Sequence, residues 1–354
     1  MKIVAVRSYL KKMALTKPYT IAYSTFSDVT LAFFEVELAN GMIGYGSGSP
    51  AGEVVGETAD QTAVNLQTDF VKNFVGRDIR HFQQMIYETR KHFDHLPGTQ
   101  AAIDIAMHDA FAKFIGISVA DFYGQKIKAL PTSITIGIKS VQETLEDAAG
   151  FLKLGFKILK VKMGLNVEED IEKICKLHEQ HGNQFIIRVD PNQGYSLADL
   201  NKFLGATKHV GVELIEQPLP VGKELALLNV EPAYRKILMG DESLKDPQAA
   251  LEFAISKPFG VYNIKLMKCG GVMGAMEIAT IANNAQINLF WGCNDESILS
   301  ITAALHAAYC CANTRYIDLD GSFDLAADLV TGGFELVDGY MHINQQPGFG
   351  ITKL

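Results

Sequence analysis

Residues 158–192 read ILKVKMGLNVEEDIEKICKLHEQHGNQFIIRVDPN. Two β-type runs, ILKVKMG (158–164) and FIIRVDPN (185–192), enclose VEEDIEKICKLHEQH (167–181), whose apolar residues recur at three- and four-residue steps. The interval from one run to the next is roughly 25 residues, the length of one strand plus one helix of a (β/α) barrel. The same interval repeats along the chain. β-rich runs begin near residues 132, 158, 185, 213, 237, 261, 287 and 315, with further helical stretches such as DPQAALEFAIS (246–256) between them. The predicted class is α/β, with a barrel over residues 125–333.

Outside the barrel the pattern changes. IVAVRSYL and TLAFFEVEL are β-rich, and Asn40-Gly41 is a hairpin signal before MIGYGSG. Residues 57–123 read as helices, among them TQAAIDIAMHDAFAKFIG (99–116), whose small residues suit close packing. Residues 1–124 therefore form an expected α+β capping domain over the barrel mouth. FELVDGYMHIN (334–344) reads as a strand pair, and the tail 334–354 is expected to pack back on the cap.

Five of the barrel runs end in charged residues. These are Lys160-Val161-Lys162, Asp190-Pro191-Asn192, Glu216, Asp241-Glu242 and Lys265. Strand ends converge at the C-terminal mouth of a barrel, so successive runs bring these side chains together. Three carboxylates between two lysines suit one divalent cation, and hard oxygen ligands make Mg²⁺ the natural choice. A cation that opposes enolate charge, with a lysine on each face of the carbon, is equipment for moving a proton α to a carboxylate. A lysine base must be neutral part of the time. Lys160 and Lys162 share one strand face, and each is expected to lower the other's pKa.

Composition narrows the function classes. The 354 residues carry a formal charge of −8, which argues against a nucleic-acid surface. No apolar run is long enough to span a membrane, and MKIVAVRSYLKKM lacks the form of a signal peptide, so a cytoplasmic protein is expected. The five cysteines form no CxxC pair and read as reduced thiols. His92 with His95, and His178 with His181, have helical spacing but no completing ligands, and read as surface histidines. Gly270-Gly271 reads as a βα turn rather than a phosphate cradle.

LTKPYTIA (15–22), GSGSPAGEVVGET (46–58), KVKMG, DPNQGY, EQP, GDES, NIKLMKCGG and PGFGI (347–351) together resemble the enolase superfamily, muconate-lactonizing subgroup, and within it the dipeptide epimerases. The resemblance covers nearly the whole chain and implies a modified (β/α)7β TIM barrel. It implies Asp190, Glu216 and Asp241 as Mg²⁺ ligands, Lys162 and Lys265 as acid/base catalysts, and Lys160 as electrostatic partner of an enediolate. Asn192, Glu242 and Glu296 resemble the supporting shell. Asp318-Leu319-Asp320 resembles the pair that holds a dipeptide's N-terminal ammonium.

The implied reaction inverts the α-carbon of the C-terminal residue of an L-Ala-X-type dipeptide. Relatives that prefer Ala-Glu carry an arginine where this chain has Ser24, within Tyr19-Thr20-Ile21-Ala22-Tyr23-Ser24. The seventh run ends Gly292-Cys293-Asn294-Asp295-Glu296-Ser297 in place of Gly-Cys-Met-Met-Glu-Ser. Tyr19, Ile21, Ser24, Asn294 and Asp295 are thus the expected specificity residues. Glu is disfavoured as the second residue, while hydrophobic, polar and cationic residues stay open. A muconate-type cycloisomerase or o-succinylbenzoate synthase is the alternative enzyme, and a non-catalytic carboxylate-binding protein the alternative outside catalysis. Nucleic acid and membrane are not expected as partners, and a homo-oligomer stays open.

Overall fold

A computed structural model describes the backbone of residues 1–21, 24–50 and 52–354, and the side chains of all these but 18–21, 24–26, 53 and 54. The capping domain begins with an antiparallel sheet of β1 (Ile3–Ile21), β2 (Ser24–Leu38) and β3 (Ile43–Gly48). Helix α1 (Pro97–Ile115) lies against β3. Glycine alternates along β3, and a Cβ at Gly44, Gly46 or Gly48 would strike the backbone of Ala106, Ala102 or Gly98 within 2.6 Å. The glycine face of the strand and the small-residue face of the helix therefore require each other.

The second sheet has eight parallel strands in sequence order: β4 (Ile134–Ile136), β5 (Ile158–Lys162), β6 (Ile186–Asp190), β7 (Leu214–Glu216), β8 (Leu238–Gly240), β9 (Val261–Ile264), β10 (Asn288–Trp291) and β11 (Thr314–Ile317). A parallel bridge between Thr132 and Ile317, with the Ser133 amide donating to Ile317 O at 3.3 Å, joins the last strand to the first. The expected runs lie at these eight strands.

Six outer helices follow the expected spacing: α2 (Val141–Lys153), α3 (Val167–His181), α4 (Leu197–Ala206), α5 (Pro247–Ser256), α6 (Val272–Ala285) and α7 (Ile298–Tyr309). The sequence of α3 shows why it forms. The Asn166 side chain accepts from the Glu168 and Glu169 amides, and acidic residues fill the first turn. Val167, Ile174 and Leu177 are buried on the inner face. The β7–β8 connection holds only short turns, Glu224–Asn229 and Pro232–Arg235. Pro218, Pro220, Gly222 and Pro232 interrupt that segment too often for a long helix.

Leu214, Met239, Val261 and Phe290 form an apolar floor inside the barrel. Glu216, Asp241 and Asn263 each stand two residues further along the same strands. The period-2 alternation of a strand thus places the polar layer directly above the apolar one.

The hairpin of β13 (Phe334–Val337) and β14 (Tyr340–Ile343) pairs with Leu130–Pro131 beside the barrel, and β12 (Val330–Gly332) pairs with β15 (Ile351–Lys353). Between and beyond them, Gly348 N donates to Ile117 O, Phe349 N donates to Asp109 Oδ1, and Lys353 pairs with Glu35, all on capping residues. The tail therefore touches both parts of the molecule.

Candidate active site

Lys162 ends β5, and Lys265 directly follows β9, four strands away in a ring of eight. The two lysines therefore stand at opposite poles of the barrel. Asp190, Glu216 and Asp241 come from β6, β7 and the end of β8, the three strands between those poles. Asp318 and Asp320 follow β11, which lies across the ring from β7. Four functional quadrants result: a lysine, a carboxylate arc, a lysine and an acidic pair. They surround a cavity of about 580 Å³, lined among others by Lys160, Lys162, Asn192, Asp241, Glu242, Lys265, Asn294, Asp295, Asp318, Asp320 and Asp324.

Lys160 Nζ ties two of these quadrants together, lying 2.7 Å from Glu216, 3.0 Å from Asp318 and 3.4 Å from Asp190. Lys162 Nζ is 2.6 Å from Asp190, and Lys265 Nζ is 2.9 Å from Asp241. The buried Lys268 binds the other oxygen of Asp241 and donates to the carbonyls of Asp241 and Asn263 at 2.6 and 3.0 Å. Asn263 Nδ2 donates to Glu216 Oε1 at 2.9 Å. Burial opposes the charge on Lys160 and Lys265, yet the surrounding carboxylates outweigh it and hold both ammonium groups above the usual lysine range. At Lys160 this departs from the expectation that its strand neighbour Lys162 lowers it. At Lys265 the attraction of Asp241 and Glu216 exceeds both burial and the repulsion of Lys160.

The carboxylates respond unequally. Asp190 and Asp241 are held below the usual range because their ammonium neighbours overcome burial. Glu216 is pushed up to about 8 by burial and the nearby Asp190, which Lys160 only partly offsets. Among the described residues no trio of His, Cys, Asp or Glu forms a ready-made cage, and each of the three carboxylates is engaged by a lysine. The donor set still fits a hard cation. Asn192 Oδ1 and Glu242 Oε2 are buried without a hydrogen-bond partner, and Lys160 compensates the buried Glu216 only in part. Glu296 is buried, accepts from the Asn294 amide at 2.9 Å and is pushed up to about 7, chiefly by burial.

The acidic pair is divided. Ser133 Oγ donates to Asp318 Oδ1 at 2.5 Å, and Lys160 takes Oδ2. Asp320 accepts from the Thr135 amide at 2.7 Å, and burial with Asp318 and Asp324 pushes its carboxyl well above the usual range. Asp318 is thus already neutralised, whereas among the described residues no ammonium group pairs with Asp320. Asp324 joins it, raised to about 6 by burial and by Asp295 and Asp318.

Residues 143–353 match the family described as enolase C-terminal domain-like, and residues 3–124 match the mandelate racemase / muconate lactonizing enzyme N-terminal domain. The chain belongs to the enolase superfamily. Among its relatives, the L-Lys-D/L-Arg epimerase of Desulforapulum autotrophicum is 46% identical over the full length of both chains. The Methylococcus capsulatus enzyme of the same description is 42% identical over 99% of each chain. A Methylococcus capsulatus dipeptide epimerase solved with Mg and the dipeptide L-Arg-D-Lys superposes with a TM-score of 0.97 at 42% identity, covering 99% of this chain and 100% of that one. An Enterococcus faecalis dipeptide epimerase solved with Mg and L-Leu-L-Tyr has a TM-score of 0.95 at 32% identity, covering 99% and 100%. The relatives are racemases and epimerases, and this superfamily member is an isomerase.

The lysines, carboxylates, supporting residues, acidic pair, Asn294 and Asp295 all gather at the barrel mouth. The side chains of Tyr19, Ile21 and Ser24 lie outside the described residues. Sequence reasoning missed Lys268, Asn263, Asp324 and Ser133. Asn263 stands two residues before Lys265 and so shares its strand face, and Lys268 lies one turn after it in NIKLMK; both positions carried a readable signal. Asp324 and Ser133 carried none. His92 stacks on Phe70 with ring centroids 4.1 Å apart, and His181 packs edge-on to Phe185. All five cysteines are free, and among the described residues no helix is long and apolar enough to cross a membrane.

Proposed function

We propose that this chain is a Mg²⁺-dependent dipeptide epimerase whose substrate carries a cationic side chain, of the L-Lys-L-Arg type, and that it inverts the α-carbon of the C-terminal residue. The acid surplus of the cavity carries the substrate assignment. Eight carboxylates line it against five ammonium groups, and Asp295, Asp320 and Asp324 concentrate on the side away from the Mg²⁺ ligands. Such a wall attracts guanidinium or ammonium groups and repels a glutamate side chain. The kinship to cationic-dipeptide epimerases supports the same reading. Dianionic substrates of cycloisomerases and o-succinylbenzoate synthases would meet this wall unfavourably.

Mg²⁺ is the cofactor, held by Asp190, Glu216 and Asp241 with Asn192 and Glu242 in support; it supplies positive charge opposite the charge that develops on the substrate carboxylate. The substrate's own ends then match the quadrants. Its carboxylate faces the arc from β6 to β8, and its N-terminal ammonium faces Asp320. Its reacting carbon lies between the poles. Lys162 Nζ takes or returns the proton on one face, and Lys265 Nζ does so on the other. Lys160 adds fixed positive charge beneath.

The test is kcat/KM for L-Lys-L-Arg, L-Leu-L-Tyr and L-Ala-L-Glu. The cationic dipeptide should exceed each of the others by at least about tenfold, equivalent to about 1.4 kcal/mol. Preference for L-Ala-L-Glu would overturn the assignment.

A further inference from the structure

The turn that carries Lys265 is gripped by the capping domain. Lys265 sits at the start of a single helical turn, Leu266–Cys269, whose Lys268 and Cys269 amides donate to Lys265 O at 3.0 and 3.3 Å. The chain then passes through Gly270 and Gly271, at φ +76° and +102°, into α6. Asp104, fully buried in the middle of α1, reaches across the domain boundary to this point. Its two carboxylate oxygens accept from the Val272 and Met273 amides at 2.7 and 3.2 Å. A Cβ on Gly271 would come within 2.5 Å of the Asp104 side chain, and one on Gly270 within 2.0 Å of Gln100 Oε1. The Ser49 amide also donates to Met267 Sδ at 3.1 Å.

Asp104, Gln100, Gly270 and Gly271 stand outside the cavity lining, so the contacts they make are with the chain itself. The first amides of a helix have no partner within it, and a carboxylate there satisfies them and complements the helix dipole. In most helices the cap is local in sequence; here it comes from the other domain. The Val272 and Met273 amides at the start of α6 are thereby filled from within the chain, which supports reading the Gly270-Gly271 turn as a docking point rather than a phosphate cradle.

We infer that Asp104 is a positioning residue for Lys265, so that the capping domain sets the place of one proton-carrying lysine and not of the other. The inference rests on the two-lysine reading above. Lys162 differs because it is itself the last residue of its strand, in register with Asp190, whereas Lys265 lies beyond the paired residues of β9. A displacement of about 1 Å in a reacting group can cost on the order of 10²-fold in rate. Loss of the Asp104 charge should therefore act on one face of the substrate alone.

The experiment measures α-proton exchange in D₂O with both epimers of a Lys-Arg dipeptide. Lys162→Ala leaves exchange through Lys265, and Lys265→Ala leaves exchange through Lys162. Adding Asp104→Asn should lower the first by at least about tenfold and leave the second within about twofold. The exchange through Lys162 also reports that the protein is folded. Gln100→Ala, a milder change against Gly270, should lower the same arm by a smaller factor and serves if Asp104→Asn does not fold. Equal losses on both arms, or no loss on the Lys265 arm, would overturn the inference while leaving the two-lysine reading intact. Failure of the single lysine variants to divide the epimers would overturn both.

Discussion

Lys162 and Lys265 face each other across the barrel but are held in different ways. Lys162 belongs to a strand, with hydrogen-bonded neighbours on either side, and its ammonium meets one carboxylate, Asp190. Lys265 stands beyond its strand, on a turn fixed by the cap, and shares Asp241 with a second, fully buried ammonium, Lys268. The barrel sheet alone specifies one pole, whereas the other needs two domains. A reaction that must give and take protons on both faces thus depends on a rigid wall and an assembled one.

The largest effect should strike both walls equally. Exhaustive chelation is expected to reduce epimerisation and α-proton exchange of both epimers to background, with recovery on adding Mg²⁺. Retention of the full rate under chelation, followed by either readout, would break the cofactor assignment.

Carboxylate removal should separate the walls. Asp241→Asn leaves Lys268, 4% exposed, without the carboxylate it pairs with, and breaking a buried pair costs up to about 3–5 kcal/mol. Asp190→Asn costs less, because Lys160 retains Glu216 and Asp318 and Lys162 is nearer solvent. Both variants should bind Mg²⁺ weakly, but urea unfolding should find Asp241→Asn the less stable. Equal stabilities would remove the distinction drawn between the walls.

The acidic quadrant should respond to the substrate's own charge. N-acetylation of a Lys-Arg dipeptide removes the ammonium that faces Asp320 and should reduce kcat/KM by about 10- to 100-fold, or about 1.4–2.8 kcal/mol. Asp320→Asn should narrow the gap between free and acetylated forms. Equal turnover of the acetylated compound by the wild-type protein would exclude this role.

A smaller effect concerns pH. The Asp324 carboxyl, raised to about 6, is charged above that pH and neutral below it. Attraction for a cationic side chain is therefore present above about pH 6 and lost as the pH falls through it. The profile of kcat/KM for the cationic dipeptide should drop there by a few fold more in the wild type than in Asp324→Asn. Identical profiles would assign the cation to other carboxylates.

Much of this arrangement was legible in the chain, because a (β/α) repeat converts sequence order into position around a ring. Asp190, Glu216 and Asp241 follow one another in the sequence and therefore stand side by side. Lysines four strands apart must oppose each other. What the sequence concealed depends on contacts between distant segments. Ser133 meets Asp318, and Asp104 meets Val272, across 185 and 168 residues, and no local pattern marks either pairing. The divided roles of Asp318 and Asp320 were hidden for the same reason, since the division depends on where Lys160 reaches. The short turns between β7 and β8 were readable from their prolines.

The most direct test of the account is α-proton exchange in D₂O by Lys162→Ala and Lys265→Ala, each given both epimers of a Lys-Arg dipeptide. Each variant should lose epimerisation by at least about 10³-fold, within the usual range for a positioned acid/base group, and each should still exchange the α-proton of one epimer only, a different epimer for each variant. Substantial epimerisation by either variant, or exchange of both epimers by the same variant, would contradict two lysines acting on opposite faces.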